Sequence, residues 1–321
     1  VSLPENPGPM HDDQVPIDLD CARALVEDQF PQWRGERITS VPSGGTVNAI
    51  FRIGSGLAAR FPLRAADPGT ELARLRAEAT VMTELSGHCP FPTPLPAAIG
   101  HPAQSYPLRW SVQTWLPGGV ATPAGLASST AFAQDLAVLI NSLRAADTRG
   151  RKFGGHGRGG NLPDHDEWMR LCFEKSEGLM DVPRLRAVWA ELRELPAAGP
   201  DVMSHRDLIP ANLLVSGERL VGVLDVGDFA GADPALDLVA AWHLLDRGAR
   251  EVLRSGVDAG AVEWQRGAAW AFQQSMGLVW YYRNTNPGMS ALGRSTLQRI
   301  LEDLAVPGTV NVGPSVPSRR Q

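Results

Sequence analysis

Apolar residues recur at helical spacing over residues 20–30, Asp-Cys-Ala-Arg-Ala-Leu-Val-Glu-Asp-Gln-Phe, behind an acidic start, which predicts a leading helix. Two β-rich runs between Ile38 and Gly54 flank Ser43-Gly44-Gly45-Thr46, and this turn chemistry makes them a hairpin. Leu57–Pro62 is a short apolar strand with one cation, Arg60, and Glu71 to Leu85 returns to a helical pattern. Prolines from Pro90 to Pro107 read as a connection, after which Trp110 to Leu116 reads as a strand ending in Pro-Gly-Gly. From Ser128 onward the chain is mainly helical, beginning with a broad apolar stripe over Thr130 to Leu143 behind a Ser/Thr cap region. Residues 149–165 are basic and too rich in glycine for a regular helix, so they read as a mobile loop that joins helices or covers a site. Helices are expected around residues 166–195, and again after Asp233 and Pro234, which occupy N-cap and N1 places. The last helical stretch, from Glu263 to Pro287, is rich in aromatic residues.

A chain of 321 residues is long enough for two lobes with their own cores, and 43% hydrophobic with 20% charged residues is ordinary for a soluble globular protein. The fold class is therefore α+β, with the strands early and the helices late. A net charge of -5 argues against a nucleic-acid surface and suits a cationic small molecule. Cys21, Cys89 and Cys172 are far apart and form no C-x-x-C pair, which points neither to zinc nor to a disulfide framework. With no signal-peptide core and no apolar run of about eighteen residues, the expectation is a cytoplasmic protein without a membrane span. Residues 1–15 and the tail 307–321, rich in Pro, Ser, Val and Gly, are expected to be loose.

The chemistry concentrates between Ser204 and Asp228, where Ser-His-Arg-Asp-Leu-Ile-Pro-Ala-Asn-Leu-Leu-Val is followed by Val-Gly-Val-Leu-Asp-Val-Gly-Asp. Asp207 and Asn212 share a Pro-containing loop, and Asp225 ends the next apolar strand, so a turn and hairpin would bring the three together. Phosphoryl transfer needs such a set: a loop Asp takes the acceptor hydroxyl's proton, while a downstream Asn and a strand-end Asp hold Mg2+. Mg2+ prefers hard oxygens and takes few from protein, phosphates and waters completing its shell. Asp207 is then the base, and Asn212 and Asp225 the ligands. Taken singly, a loop Asp or an Asn after Pro is an ordinary turn residue.

This segment resembles the aminoglycoside phosphotransferase family, the choline-kinase-like branch of the protein-kinase-like fold, whose loop commonly reads His-Gly-Asp-x-x-x-x-Asn followed by Ile-Asp-Trp. Arg206 stands where that family often has Gly, and Val226 where it often has Trp. The resemblance extends over about residues 38–300 and implies a bilobal fold, with a small antiparallel β-sheet N-lobe carrying one regulatory-type helix and a larger, mainly helical C-lobe. It divides the chain into a nucleotide-binding lobe at 1–112, a hinge at 113–117, a C-lobe at 118–306 and the tail. ATP or GTP with Mg2+ would be the donor and a small molecule the acceptor, plausibly an aminoglycoside, macrolide or other antibiotic. A housekeeping sugar or amino-alcohol kinase and a catalytically silent nucleotide-binding relative are the alternatives. A protein kinase is disfavoured, because no Asp-Phe-Gly or Ala-Pro-Glu element follows.

The resemblance also assigns roles. Arg60 would contact the nucleotide phosphates and pair with Glu78, the Ser43, Gly44, Gly45, Thr46 turn would approach the phosphates with its backbone, and Gln113, Thr114, Trp115 and Leu116 would form the hinge that holds the base. His205 supports the loop, Asp237 supports its backbone, and Asp228 either assists the metal or stabilises the loop. Asp233 is explained by capping alone. Trp280, Tyr281, Arg283 and Asn284 fall where family members line the acceptor site, although aromatics at helical spacing are by default core.

Overall fold

The computed structural model describes residues 14–41, 47–65 and 67–304; the Ser43, Gly44, Gly45, Thr46 turn and the tail 307–321 lie outside them. Helix α1 (Leu19–Gln29) starts at Asp18, whose carboxylate accepts from the Cys21 N–H at 2.8 Å. Strands β1 (Ile38–Val41), β2 (Asn48–Ile53) and β3 (Leu57–Pro62) form an antiparallel meander, followed by helix α2 (Pro68–His88) behind an Asp67 cap. Strands β4 (Pro96–Gly100) and β5 (Trp110–Thr114) complete a five-stranded sheet in the order β1-β2-β3-β5-β4.

Strand β4 falls where the prolines read as a plain connection. It is an edge strand with a register shift between Pro96 and Ala98, the place in a sheet where proline's missing donor is tolerated. Gly100 closes it under Trp110, where an added Cβ would lie 2.0 Å from the indole. The Trp110 ring stacks on Phe61 at 4.6 Å, and Ala22, Leu25 and Val26 of α1 complete this apolar cluster.

A second, larger cluster belongs to the helical part. After β6 (Gly119–Val120) and α3 (Pro123–Leu126) comes α4 (Thr130–Arg144), capped by Ser129, whose hydroxyl accepts from the Phe132 N–H. Next are α5 (Asp166–Lys175), α6 (Val182–Leu192), β7 (Val202–Ser204), β8 (Leu213–Ser216), β9 (Arg219–Val223) and β10 (Ala230–Ala232). Strand β7 pairs with β10, and β6-β8-β9 make a small three-stranded sheet. The chain continues through α7 (Val239–Leu244), α8 (Arg247–Gly256), α9 (Ala261–Tyr281) and α10 (Pro287–Leu304). Helix α9 is buried on all faces from Arg266 to Val279, as expected of a helix that is apolar nearly all round. Buried Asp135 of α4 grips Arg219 with two 2.7 Å bonds and accepts from the Leu220 N–H at 3.0 Å, which pins the β8–β9 hairpin.

Asp233 does more than cap. No α-helix starts at Pro234; a 3-10 turn over Leu236–Leu238 leads into α7. The Asp233 carboxylate accepts from the Ala235 N–H, but it also receives the buried Arg266 guanidinium and the Trp270 N–H at 2.9 Å. Burial of both charges is tolerable because each is paired and hydrogen-bonded. Among the described residues no helix is long and apolar enough to cross a membrane.

Candidate active site

The loop after β7 is built around Asp237. Its buried carboxylate accepts from the Ser204 hydroxyl at 2.8 Å and from the backbone N–H groups of His205 (3.0 Å) and Arg206 (3.1 Å). The chain can then turn at Arg206, which holds a left-handed φ of +71°, a conformation that normally favours glycine. His205 ties the loop to the next hairpin. Its Nδ1 accepts from the Asp207 N–H at 3.3 Å, which leaves Nε2–H to donate to the Leu224 carbonyl at 2.9 Å. Asn212, at the end of the Pro210–Asn212 turn, donates from Nδ2 to the Asp207 carbonyl (2.9 Å) and to Asp207 Oδ2 (3.2 Å). Its amide oxygen is thereby turned away from Asp207.

The β8–β9 hairpin brings Asp225 to the same place, since the Leu224 N–H donates to the Asn212 carbonyl at 2.8 Å. Asp225 has a φ of +53°, and its side chain stays 56% exposed in the cleft although protein surrounds it. Desolvation of its charged form within the cleft pushes its carboxyl above the usual carboxylate range. Arg60 opposes the shift, and the nearby charges of Asp207 and Glu78 add to it. Arg60 reaches across from β3, with Nη1 2.6 Å from Glu78 of α2 and Nη2 3.5 Å from Asp225. Helix α2 comes this close because Gly227 has no side chain; a Cβ there would meet Glu78 Cγ at 2.7 Å. Asp207, Asn212, Asp225, Arg60 and Glu78 thus form one constellation. Asp228 is exposed beside it. Among the described residues no cluster of three or more His, Cys, Asp or Glu could hold a metal; Asn212 and Asp225 supply two hard oxygen donors, which suits an ion completed by phosphate and water.

Of the hinge candidates, Gln113 faces the cleft and accepts from Arg60 Nη1 at 3.4 Å. Thr114 is spent on the sheet, its N–H donating to the Leu95 carbonyl and its hydroxyl accepting from the Leu95 N–H, both at 2.9 Å. The Trp115 N–H donates to the Gly56 carbonyl at 2.8 Å, while the Leu116 N–H has no partner among the described residues. The acceptor candidates form a separate group. Trp280 lies against Trp168 and Tyr281, Tyr281 is 47% exposed, and the Arg283 N–H donates to the Trp280 carbonyl. Among the described residues neither these three nor Asn284 has a hydrogen bond, ion pair or ring contact with the Asp207 loop.

Two groups that do touch Asp207 escaped the sequence reading. Gln274 of α9 donates from Nε2 to Asp207 Oδ1 at 2.9 Å, and Arg158 of the glycine-rich segment donates to the same oxygen at 2.6 Å. That segment, read as mobile, is fastened. Arg206 donates to the His156 carbonyl at 2.6 Å and lies over the Phe153 ring, the Gly159 carbonyl accepts from the Asp233 N–H at 2.7 Å, and Arg151 grips Glu84 of α2. Gly159, at φ +115°, fits between Ala232 and Leu236 only because it lacks a Cβ. Only the high density of Gly and Arg marked it in the sequence.

An antiparallel sheet with one helix, a mainly helical second part, and an Asp–Asn–Asp set facing an Arg–Glu pair define a kinase-like phosphotransferase. The model of the phosphotransferase enzyme family matches residues 38–270, and the chain belongs to that family. It is accordingly a small-molecule O-phosphotransferase. No curated protein sequence matches it. Among solved structures, the GDP complex of wild-type aminoglycoside 2'-phosphotransferase-IIIa superposes with a TM-score of 0.66 at 17% identity, covering 89% of this chain and 100% of that one. The GDP and kanamycin complex of APH(2")-IIia gives 0.65 at 18%, covering 88% and 98%. The apoenzyme of macrolide 2'-phosphotransferase MphH from Brachybacterium faecium gives 0.56 at 20%, also covering 88% and 98%. At these identities the likeness is one of fold.

Proposed function

We propose that this protein moves the γ-phosphate of ATP or GTP to a hydroxyl of a small molecule, with an antibiotic as the leading acceptor class. The carrying observation is that Asp207 bonds Asn212 at 3.2 Å beside Asp225, opposite the Arg60–Glu78 pair. Asp207 orients the acceptor hydroxyl and takes its proton. Arg60, steadied by Glu78, meets the nucleotide phosphates, and residues 113–117 join the lobes, with the Leu116 N–H free to meet the base. The amide oxygen of Asn212 and the Asp225 carboxylate would hold Mg2+, which supplies charge neutralisation at the transferring phosphate. The protein's share is positioning and electrostatic stabilisation.

The solved relatives include complexes with kanamycin, gentamicin and streptomycin and a macrolide enzyme, so both antibiotic classes are candidates. The Arg158 guanidinium on Asp207, with Arg206 in the adjacent turn, favours an acceptor that brings few positive charges to this oxygen over a polycation. The test is nucleotide consumption by purified protein with Mg2+ against aminoglycosides, macrolides, peptide antibiotics, amino sugars and choline analogues, with Asp207→Ala alongside. Acceptor-dependent turnover is expected, and it should vanish in the variant. Turnover that survives Asp207→Ala defeats the mechanism.

A further inference from the structure

Behind Asp207, three polar side chains run in line through the largely apolar helical core. Gln274 of α9 is 9% exposed, and His243 of α7 and Thr296 of α10 are 0% exposed. Gln274 Oε1 lies 3.1 Å from His243 Nε2, and His243 Nδ1 lies 2.9 Å from the Thr296 hydroxyl. The run begins at the 2.9 Å bond from Gln274 Nε2 to Asp207 Oδ1. Apolar residues of similar volume would fill this space at less desolvation cost, so a fully satisfied polar chain calls for another reason.

The polarity of the chain is fixed from one end. An ionised carboxylate only accepts, so Gln274 must present its NH2 to Asp207 and its oxygen to His243. His243 must then carry its proton on Nε2, which leaves Nδ1 to accept from the Thr296 hydroxyl. Complete burial pushes the His243 imidazole down to about 4, despite the opposing pull of Gln274 and of the Asp207 charge, so the ring is neutral as this order requires. Arg158 approaches from the solvent side and donates to the same Asp207 Oδ1 at 2.6 Å. That oxygen is therefore taken twice, whereas Oδ2 has only the 3.2 Å contact from Asn212.

We propose that Thr296, His243 and Gln274 are positioning residues for the base, a buried relay that locks the Asp207 carboxylate so that Oδ1 is occupied and Oδ2 receives the acceptor's proton. This rests on the reading of Asp207 as the base. Two measurements test it. Nitrogen-15 NMR of the full chain at neutral pH should find the proton of His243 on Nε2; a ring protonated on Nδ1 alone, or on both nitrogens, overturns the relay and needs no acceptor.

The second measurement is turnover, read with whichever acceptor the consumption panel returns and also as the slow hydrolysis of MgATP by water. Gln274→Met, close in size but without the amide, should lower kcat about 100-fold while the nucleotide KM stays within about threefold. Thr296→Val should lower kcat about fivefold and Thr296→Ser should restore it, a smaller effect because it acts through two further bonds. The double variant Gln274→Met/Thr296→Val should be no slower than Gln274→Met alone, since Thr296 acts only through Gln274. Additive losses, or unchanged kcat in Gln274→Met, refute the relay. Asp207→Ala separates the two ideas: activity that survives it removes the base itself, whereas activity lost there and kept in Gln274→Met removes the relay alone.

Discussion

The two walls of the cleft carry similar charges but differ in what stands behind them. On one wall Asp207 is held by Gln274, and the hydrogen bonds continue inward through a fully buried histidine. On the other, Arg60 has Glu78 at 2.6 Å, but its reach across to Asp225, beside Asp207, is 3.5 Å to a carboxylate that is 56% exposed. The first wall is set before any ligand arrives. The contact between the walls is a loose pair that the proposed triphosphate would re-partner, because phosphate oxygens and a cation would satisfy Arg60 and Asp225 better than they satisfy each other. Preorganisation is therefore concentrated at the proposed base.

The largest effect expected from this contrast is on chemistry. Asp207→Ala should lower kcat about 1,000-fold, about 4 kcal/mol, and leave the nucleotide KM within about threefold. Steady-state kinetics check it, and an equal loss of nucleotide affinity would erase the difference between the walls. Next is pH. The unfolded chain takes up a proton at His243 below about pH 6.5, while the folded chain resists until about 4. The stability it contributes is thus complete above 6.5 and is lost as pH falls toward 4, by about 3 kcal/mol. Urea titrations at several pH values, compared with His243→Gln, isolate that slope. On the open wall, Arg60→Gln should raise the nucleotide KM about tenfold, about 1.4 kcal/mol, with little change in melting temperature. A drop in kcat alone would show that Arg60 is preset like Asp207. The smallest change belongs to Glu84→Gln. Its carboxyl is held below the usual range by the hydrogen bond from Arg151, yet the pair is partly exposed, so the loss should stay under about 1 kcal/mol in denaturant titration.

The chain shows its chemistry openly where residue type and local spacing suffice. Asp207, Asn212 and Asp225 are few enough residues apart that one turn and one hairpin unite them, and local turn and apolar patterns likewise recover β1, β2, β3 and β5. Long-range pairing leaves no such trace. Gln274 lies 67 positions from Asp207 and Arg266 lies 33 from Asp233, so neither the support of Asp207 nor the second partner of Asp233 can be read from neighbours. Strand β4 hid behind prolines that only an edge and a bulge make acceptable. The aromatic end of α9 is legible only as aromatic: Trp280 and Tyr281 suit a core or a binding surface, and their ring contacts are with Trp168, Tyr282 and each other.

Arg206 carries one more consequence. A glycine at φ +71° would be free of the roughly 1–2 kcal/mol that a side chain incurs there, yet the arginine clamps the His156 carbonyl and covers Phe153. Position 206 and the segment around 153–158 are thus one structural unit. A chimera that imports a glycine at 206 without replacing the segment, or the segment without the arginine, inherits half a latch, so swaps in this region should move both together.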